Sequence, residues 1–404
     1  MKITRIDTIQ AERHDNLLWV QIHTDDGLVG LGETFRDTSS VDGYIHHTVS
    51  PYLLGQDPLA IQRHFAALGG TMATRAIGSE MRALSAVDIA LWDLFGQKVG
   101  LPLYRLLGGP VRDSIRIYNT CAGPGYNSGK AAVPGESFAT AWGLERPAGD
   151  LEDLRMWQLE GRAGDLAKSL LESGITAMKI WPFDRFADES GGQHITPWQL
   201  DQALQPFRDI RDAVGMRMEI AVELHSRWNL ASAITIAHAL EEIRPLWFED
   251  PIVMDDPDVL AAFARSTRVP TTASETMVGS GAFRRMLDRS AIGIVMLDPG
   301  WVGGITESRR VAELAATYHR AVAPHDCTGP VVYTSGTHLC LAMPNALIQE
   351  GVRAYYQGWY REILTDLPLV ERGTVRPPDR PGLGTALRGE FLQQHDVSVR
   401  TSGG

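Results

Sequence analysis

Apolar and polar positions alternate over Lys2 to Ala11, over Leu17 to His23 (LLWVQIH) and over Leu28 to Glu33 (LVGLGE). Period two is the signature of half-buried strands. Asp25-Asp26-Gly27, between the second and third of these, is a hairpin signal. The period then lengthens. Across Glu80 to Val99, Leu84, Val87, Ile89, Ala90, Leu91, Leu94 and Phe95 make a broad apolar helical face, and Gly100 and Pro102 supply a stop. Residues 1–113 therefore predict an α+β unit, a small antiparallel sheet followed by helices.

From Ser114 short apolar runs alternate with helix-period segments. Eight runs stand out: Ser114–Thr120, Ala177–Trp181, Met216–His225, Leu246–Glu249, Pro270–Glu275, Ile292–Asp298, Ala321–His325 and Ala346–Glu350. Between them lie amphipathic stretches such as Val259–Arg265, Ala282–Asp288 and Ile305–Tyr318. Eight such units predict a parallel (β/α)8 barrel over residues 114–355. A Pro-rich tail, 356–404, is expected to return toward the first unit. Two polar, Gly-containing segments, 122–160 and 182–196, interrupt the rhythm after strand ends. In a barrel they would lie at the catalytic mouth, either as a lid or as ordinary surface insertions.

Composition narrows the class. The 404 residues are 44% hydrophobic and 22% charged, a globular profile with room for a large core. Net charge is −11 and no Lys/Arg block occurs, which argues against nucleic acid. Three cysteines, Cys121, Cys327 and Cys340, do not make a disulfide framework. The start carries no apolar leader core, and no run is long enough to span a bilayer. A cytoplasmic enzyme without membrane association is the expectation.

The informative residues close the apolar runs. Glu223 and His225 end the third, Glu249 the fourth, Glu275 the fifth, Asp298 the sixth, His325 the seventh and Glu350 the eighth. Residues two apart on a strand share a face, so Glu223 and His225 are expected to point the same way. Spacings of 26, 26, 23 and 27 residues run from Glu223 through Glu249, Glu275 and Asp298 to His325, about one βα unit each. Three carboxylates converging there would repel one another unless a hard cation lay between them. Mg2+ takes oxygen ligands and keeps positions for water or substrate. A lone glutamate is ordinarily an exposed surface residue, and three in one frame are not. Asp298 beside His325 could orient that ring as a general base, whereas a structural histidine and a turn-forming Asp before Pro299-Gly300 are the plainer alternatives.

VELH, FEDP, SET, LDPGWVGGITE, APHD and IQE follow in an order that resembles the enolase superfamily, its mandelate racemase subgroup and, within that, the galactonate-type acid-sugar dehydratases. The resemblance covers nearly the whole chain. It implies a modified barrel with an α+β cap, and Mg2+ on Glu223, Glu249 and Glu275. It makes His325 with Asp298 the base that removes the proton next to a carboxylate. Glu350, as a carboxylic acid donor, would hydrogen-bond a substrate carboxylate oxygen as the enediolate forms, and His225 would protonate the departing β-hydroxyl. A small-molecule sugar acid, a 2-keto-3-deoxy product and a homo-oligomer follow as expectations. On the cap side Glu33, Phe35 and Arg36, and Thr71 to Arg75, resemble two closing loops, with Arg36 and Arg75 placed to bind the far end of the substrate.

Two departures matter. The family often ends its second barrel strand Lys-x-Lys, whereas here Lys179-Ile180-Trp181 puts Trp181 in place of the second base and on the substrate wall. Lys179 would then serve as an electrostatic aid. Glu223 also stands where many relatives carry Asp. A racemase or epimerase on the same scaffold, and a barrel that binds an anion without turning it over, are the competing readings.

Overall fold

The computed structural model describes residues 1–70, 76–126 and 151–404. The three alternating segments form antiparallel strands β1 (Ile3–Ala11), β2 (Leu17–Thr24) and β3 (Val29–Phe35). The chain's last strand, Val397–Gly403, pairs with β1, so the sheet runs from the C-terminus through β1 and β2 to β3. The Ser79–Val99 helix packs on this sheet. Gly30 and Gly32 permit the approach, since a Cβ on either would overlap the Ala90 or Ala86 carbonyl oxygen.

The helix also grips the barrel. Asp88 accepts from the Thr306 N–H at 2.8 Å and its hydroxyl at 2.7 Å, and Ser85 Oγ accepts from the Gly303 N–H at 3.0 Å. Thr34 donates to the Gly300 carbonyl at 2.8 Å, and Trp301 Nε1 donates to the Phe35 carbonyl at 3.2 Å. The end of β3 is thereby fixed over the loop that follows Asp298.

All eight apolar runs contribute strands: β4 (Ile115–Thr120), β5 (Ala177–Ile180), β6 (Glu219–Glu223), β7 (Phe248–Glu249), β8 (Thr271–Ala273), β9 (Ile294–Leu297), β10 (Ala321–Pro324) and β11 (Gln349–Gly351). From β4 to β10 each pairs in parallel with the next. β11 pairs with β4, and Val322 bridges Ala346, which closes the cylinder. The fold is the expected α/β barrel with an α+β cap. Several strands are shorter than their apolar runs. Met216 belongs to a tight turn (Gly215–Arg217), and β7 holds two residues. After β11 only short helical turns follow, Tyr355–Trp359 and Tyr360–Ile363, so the last unit is abbreviated. The tail forms a hairpin, Leu369–Glu371 with Thr374–Arg376, that pairs with Ile115 and Arg116 at the start of β4, ahead of the stretch that pairs with β11, before it crosses to the cap sheet. No helix among the described residues is long and apolar enough to cross a membrane.

Glu33 does not sit on a closing loop. It lies inside β3 opposite Trp19, fully buried, and accepts from Trp19 Nε1 at 2.7 Å and from the Val331 and Val332 N–H groups at 3.1 and 2.9 Å. It thus satisfies the start of the Pro330–Ala342 helix. Gly329 is required there because a Cβ would overlap the carboxylate. Burial pushes the Glu33 carboxyl from 4.5 up to about 8, against the opposing pull of these donors. The folded protein therefore holds a proton that the unfolded chain releases, and this group's contribution to stability falls as pH rises from about 4.5 toward 8. Glu33→Gln keeps an acceptor and cannot ionise. Thermal unfolding from about pH 5 to about pH 9 is expected to show a flatter decline for the variant than for the wild type; parallel curves would contradict this.

Candidate active site

Alternation along the barrel strands builds the site in layers. Tyr118, Ala177, Ala221, Trp247, Met296, Ala323 and Ile348 point inward and form an apolar plug. The residue two positions further on each strand shares that face. Those residues are Thr120, Lys179, Glu223, Glu249, Asp298, His325 and Glu350, all buried, and they form the next layer. The plug also holds one of them: Trp247 Nε1 donates to Glu249 Oε2 at 2.9 Å.

Glu223, Glu249 and Glu275 come together, each offering a carboxylate oxygen within 4.8 Å of the other two. Glu223 and Glu249 are register partners on β6 and β7. Glu275 is not in that register, although its spacing is the same. Glu249 pairs with Thr272, β8 stops at Ala273, and Glu275 reaches the cluster from the turn beyond. Lys179 lies against the same carboxylates, its Nζ 2.5 Å from Glu249, 3.0 Å from Glu350 and 3.4 Å from Glu223. Burial, only partly offset by Lys179, pushes Glu223 up to about 7. Burial and the Glu223 charge push Glu249 well above the carboxylate range. Buried and packed so closely, these acids call for more positive charge than one ammonium. Three hard oxygen donors on one point suit a divalent cation such as Mg2+, so the residues present fit the metal that the sequence suggests.

His325 follows β10 as Asp298 follows β9. Its backbone N–H donates to the Leu297 carbonyl at 2.9 Å, and Nδ1 lies 2.7 Å from Asp298 Oδ2. Nε2 lies 3.2 Å from Glu275 and 3.9 Å from Glu350. Burial alone would lower the His325 pKa; Glu275, Glu350 and Asp298 together raise it well above the ordinary imidazole value. Glu350 is held by the Thr120 hydroxyl, the Asp326 N–H at 2.9 Å and Lys179. Against the cost of burial, Lys179 and His325 draw its pKa below the usual value. These surroundings favour the anion, whereas a donor role needs the acid.

His225 is not a continuation of β6. The strand ends at Glu223, and His225 turns into the left-handed region at φ 48° with its N–H on Glu223 Oε1 at 2.7 Å. Simple alternation fails there, yet the ring still reaches the pocket. Its Nδ1 lies 2.6 Å from Asp184 Oδ2. Asp184 begins the Asp184–Ser190 helix, inside a segment that the sequence marks only as a polar insertion.

Above this layer opens a pocket. Lys179, Glu275, His325, His225 and Trp181 line it, with Phe35 and Arg36 entering from the cap. Among the described residues Thr120, Tyr126, Trp301, Cys327 and Thr328 also line it, and the strand-end pattern did not single them out. Trp301 lies within the LDPGWVGGITE motif and Cys327-Thr328 follow directly on APHD, which is the signal in the sequence. Arg75, all of Thr71 to Arg75, and most of the 122–160 segment lie outside the described residues.

A closed eight-stranded α/β barrel with a cap over its mouth, three convergent glutamates and a His–Asp pair define a class of enzyme scaffold. Residues 162–391 match the family model for enolase C-terminal domain-like proteins, and residues 5–108 match that for the mandelate racemase / muconate lactonizing enzyme N-terminal domain. The chain belongs to the mandelate racemase / muconate lactonizing enzyme family of the enolase superfamily. A crystal structure of an enolase of the mandelate racemase subgroup from Agrobacterium tumefaciens is 43% identical, with a TM-score of 0.87 over 100% of this chain and 99% of that one. A D-galactonate dehydratase from Ralstonia nicotianae is 30% identical over 96% of this chain and 92% of its own length. A D-xylonate dehydratase from Haloferax volcanii is 27% identical over 99% of this chain and 90% of its own.

Proposed function

We propose that the protein is a magnesium-dependent dehydratase of a sugar acid. It removes the proton next to the carboxylate, expels the hydroxyl on the adjoining carbon, and releases water and a 2-keto-3-deoxy acid. The observation that carries the reading is the placement of His325. Its ring is fixed at Nδ1 by Asp298, its Nε2 lies 3.2 Å from Glu275, and His325 and Glu275 both line the pocket. The names of the D-galactonate and D-xylonate dehydratase relatives support the same reaction class.

Mg2+ on Glu223, Glu249 and Glu275 would supply positive charge to the substrate carboxylate, whose neighbouring C–H is otherwise very weakly acidic. The protein's own groups account for the rest. Nε2 of His325 takes the proton in a separate, reversible step, which leaves the C–H electron pair delocalised into the substrate carboxylate; that pair becomes the new carbon–carbon double bond when the β-hydroxyl departs. His225 gives that hydroxyl its proton, so water leaves, and the resulting enol tautomerises to the keto acid. Lys179, anchored by Glu249 and Glu350, adds positive charge beside the carboxylate. Trp181 and Arg36 contact the remainder of the sugar chain.

The test is a panel of aldonic and aldaric acids, incubated with Mg2+ in deuterated water and assayed for 2-keto product. A keto acid from at least one member is expected. Deuterium next to the carboxylate of recovered substrate, with no keto acid, would make the protein an epimerase instead. Neither product nor exchange across the panel would refute the reading.

A further inference from the structure

The pocket is served by a second His–Asp pair. Asp184 is fully buried, and its Oδ2 lies 2.6 Å from His225 Nδ1. This matches the 2.7 Å between His325 Nδ1 and Asp298 Oδ2. The His225 backbone sits in a conformation that non-glycine residues seldom adopt, followed by Ser226 at φ 57°. Two contacts hold it there: the His225 N–H on Glu223 and the Ser226 N–H on the Asp250 carbonyl at 2.7 Å. Trp181 and the His225 ring meet edge to face, with centroids 5.7 Å apart and planes at 85°.

The segment carrying Asp184 is pinned to the loop after β6. Arg227 pairs with Asp188, and the Asn229 N–H donates to the Gly192 carbonyl at 3.0 Å. Asn229 Nδ2 and Ser232 Oγ both donate to the Gln193 carbonyl, at 3.0 and 3.2 Å. A polar insertion at a barrel mouth ordinarily moves independently of the strands beneath it. This one is tied back at several points to the loop it serves.

We infer that Asp184 is a positioning residue for the elimination step. It takes the Nδ1–H of His225, so chemistry at that ring must run through Nε2. The inference rests on the dehydratase reading and deepens it by giving each half of the reaction its own pair. His325 with Asp298 breaks the C–H bond, and His225 with Asp184 delivers the proton that lets the hydroxyl leave as water. The 182–196 segment is then part of the catalytic scaffold rather than a decoration of the surface.

The two halves can be read separately. Asp184→Asn keeps the shape of the side chain but can present an amide N–H to Nδ1, which favours the wrong tautomer. Keto-acid formation is expected to fall by about 100-fold or more, mainly in kcat. Deuterium exchange next to the carboxylate, which needs only His325, is expected to persist in recovered substrate. His225→Asn should give the same split, and the double variant should be no slower than His225→Asn alone, because the two residues act as a unit. Unchanged keto-acid formation in Asp184→Asn, or a parallel loss of exchange and elimination, would overturn the inference.

A second measurement needs neither substrate nor an Asp184 variant. In long-range 1H–15N spectra of the wild-type protein, the neutral His225 ring, assigned by its absence from His225→Asn, is expected to carry its proton on Nδ1. A proton on Nε2 would overturn the inference. Failure of the whole acid panel would strike the dehydratase reading alone, and this spectrum would still decide whether Asp184 sets the ring.

Discussion

His325→Asn is expected to fold normally and to lose both exchange of the proton next to the carboxylate and formation of keto acid, by about 10²–10⁴-fold in kcat. Asn can still donate a hydrogen bond toward Asp298, so the buried carboxylate keeps a partner while the base is gone. Without metal, the largest upward pull on His325 comes from the Glu275 charge, acting against burial. A dication shared by the three glutamates would take up that charge. With that ion bound, the His325 ring would return toward the neutral form that a base requires. NMR exchange and a coupled keto-acid assay measure both losses. Full turnover by the variant would end the case for this base.

Glu249→Gln carries the second large effect, and it separates binding from folding. The side chain is fully buried between Trp247 Nε1 and Lys179. Gln preserves its size and an acceptor but removes the charge. Loss of a group that hydrogen-bonds a metal ligand typically costs about 10–100-fold in affinity, and loss of a ligand itself should exceed that. Calorimetric titration is therefore expected to show Mg2+ affinity reduced by more than about 100-fold. The metal-free variant should melt no lower than the metal-free wild type. Burial and the neighbouring Glu223 already drive the Glu249 carboxyl far upward, so its charge is a burden on the fold. Unaltered Mg2+ affinity would remove Glu249 from the ligand set. A large drop in melting temperature would mean that its charge stabilises the fold.

Much of this was legible in the chain because barrel chemistry is written at strand ends. The inward layer of Ala221, Trp247, Met296 and Ala323 fixes the parity of each strand, and parity delivers Glu223, Glu249, Asp298 and His325 to one level. Where strands end early, the pattern misleads. Glu275 reaches the cluster from a turn, and His225 reaches the pocket through a left-handed backbone instead of alternation. Glu33 was misplaced because β3 is buried over nearly its whole length, so a charged residue at the end of an alternating run did not mark the surface. Asp184 could not be found from sequence. In PFDRFADES nothing local distinguishes it from Asp188 or Glu189, and only the long-range contact with His225, 41 positions away, gives it meaning.

The most direct measurement is a crystal structure of the protein grown with Mn2+, in which anomalous scattering locates the ion. One peak bounded by the carboxylates of Glu223, Glu249 and Glu275, with the His325 ring beside it, is the expected result. A site elsewhere, or glutamates turned apart with no ion between them, would contradict the account.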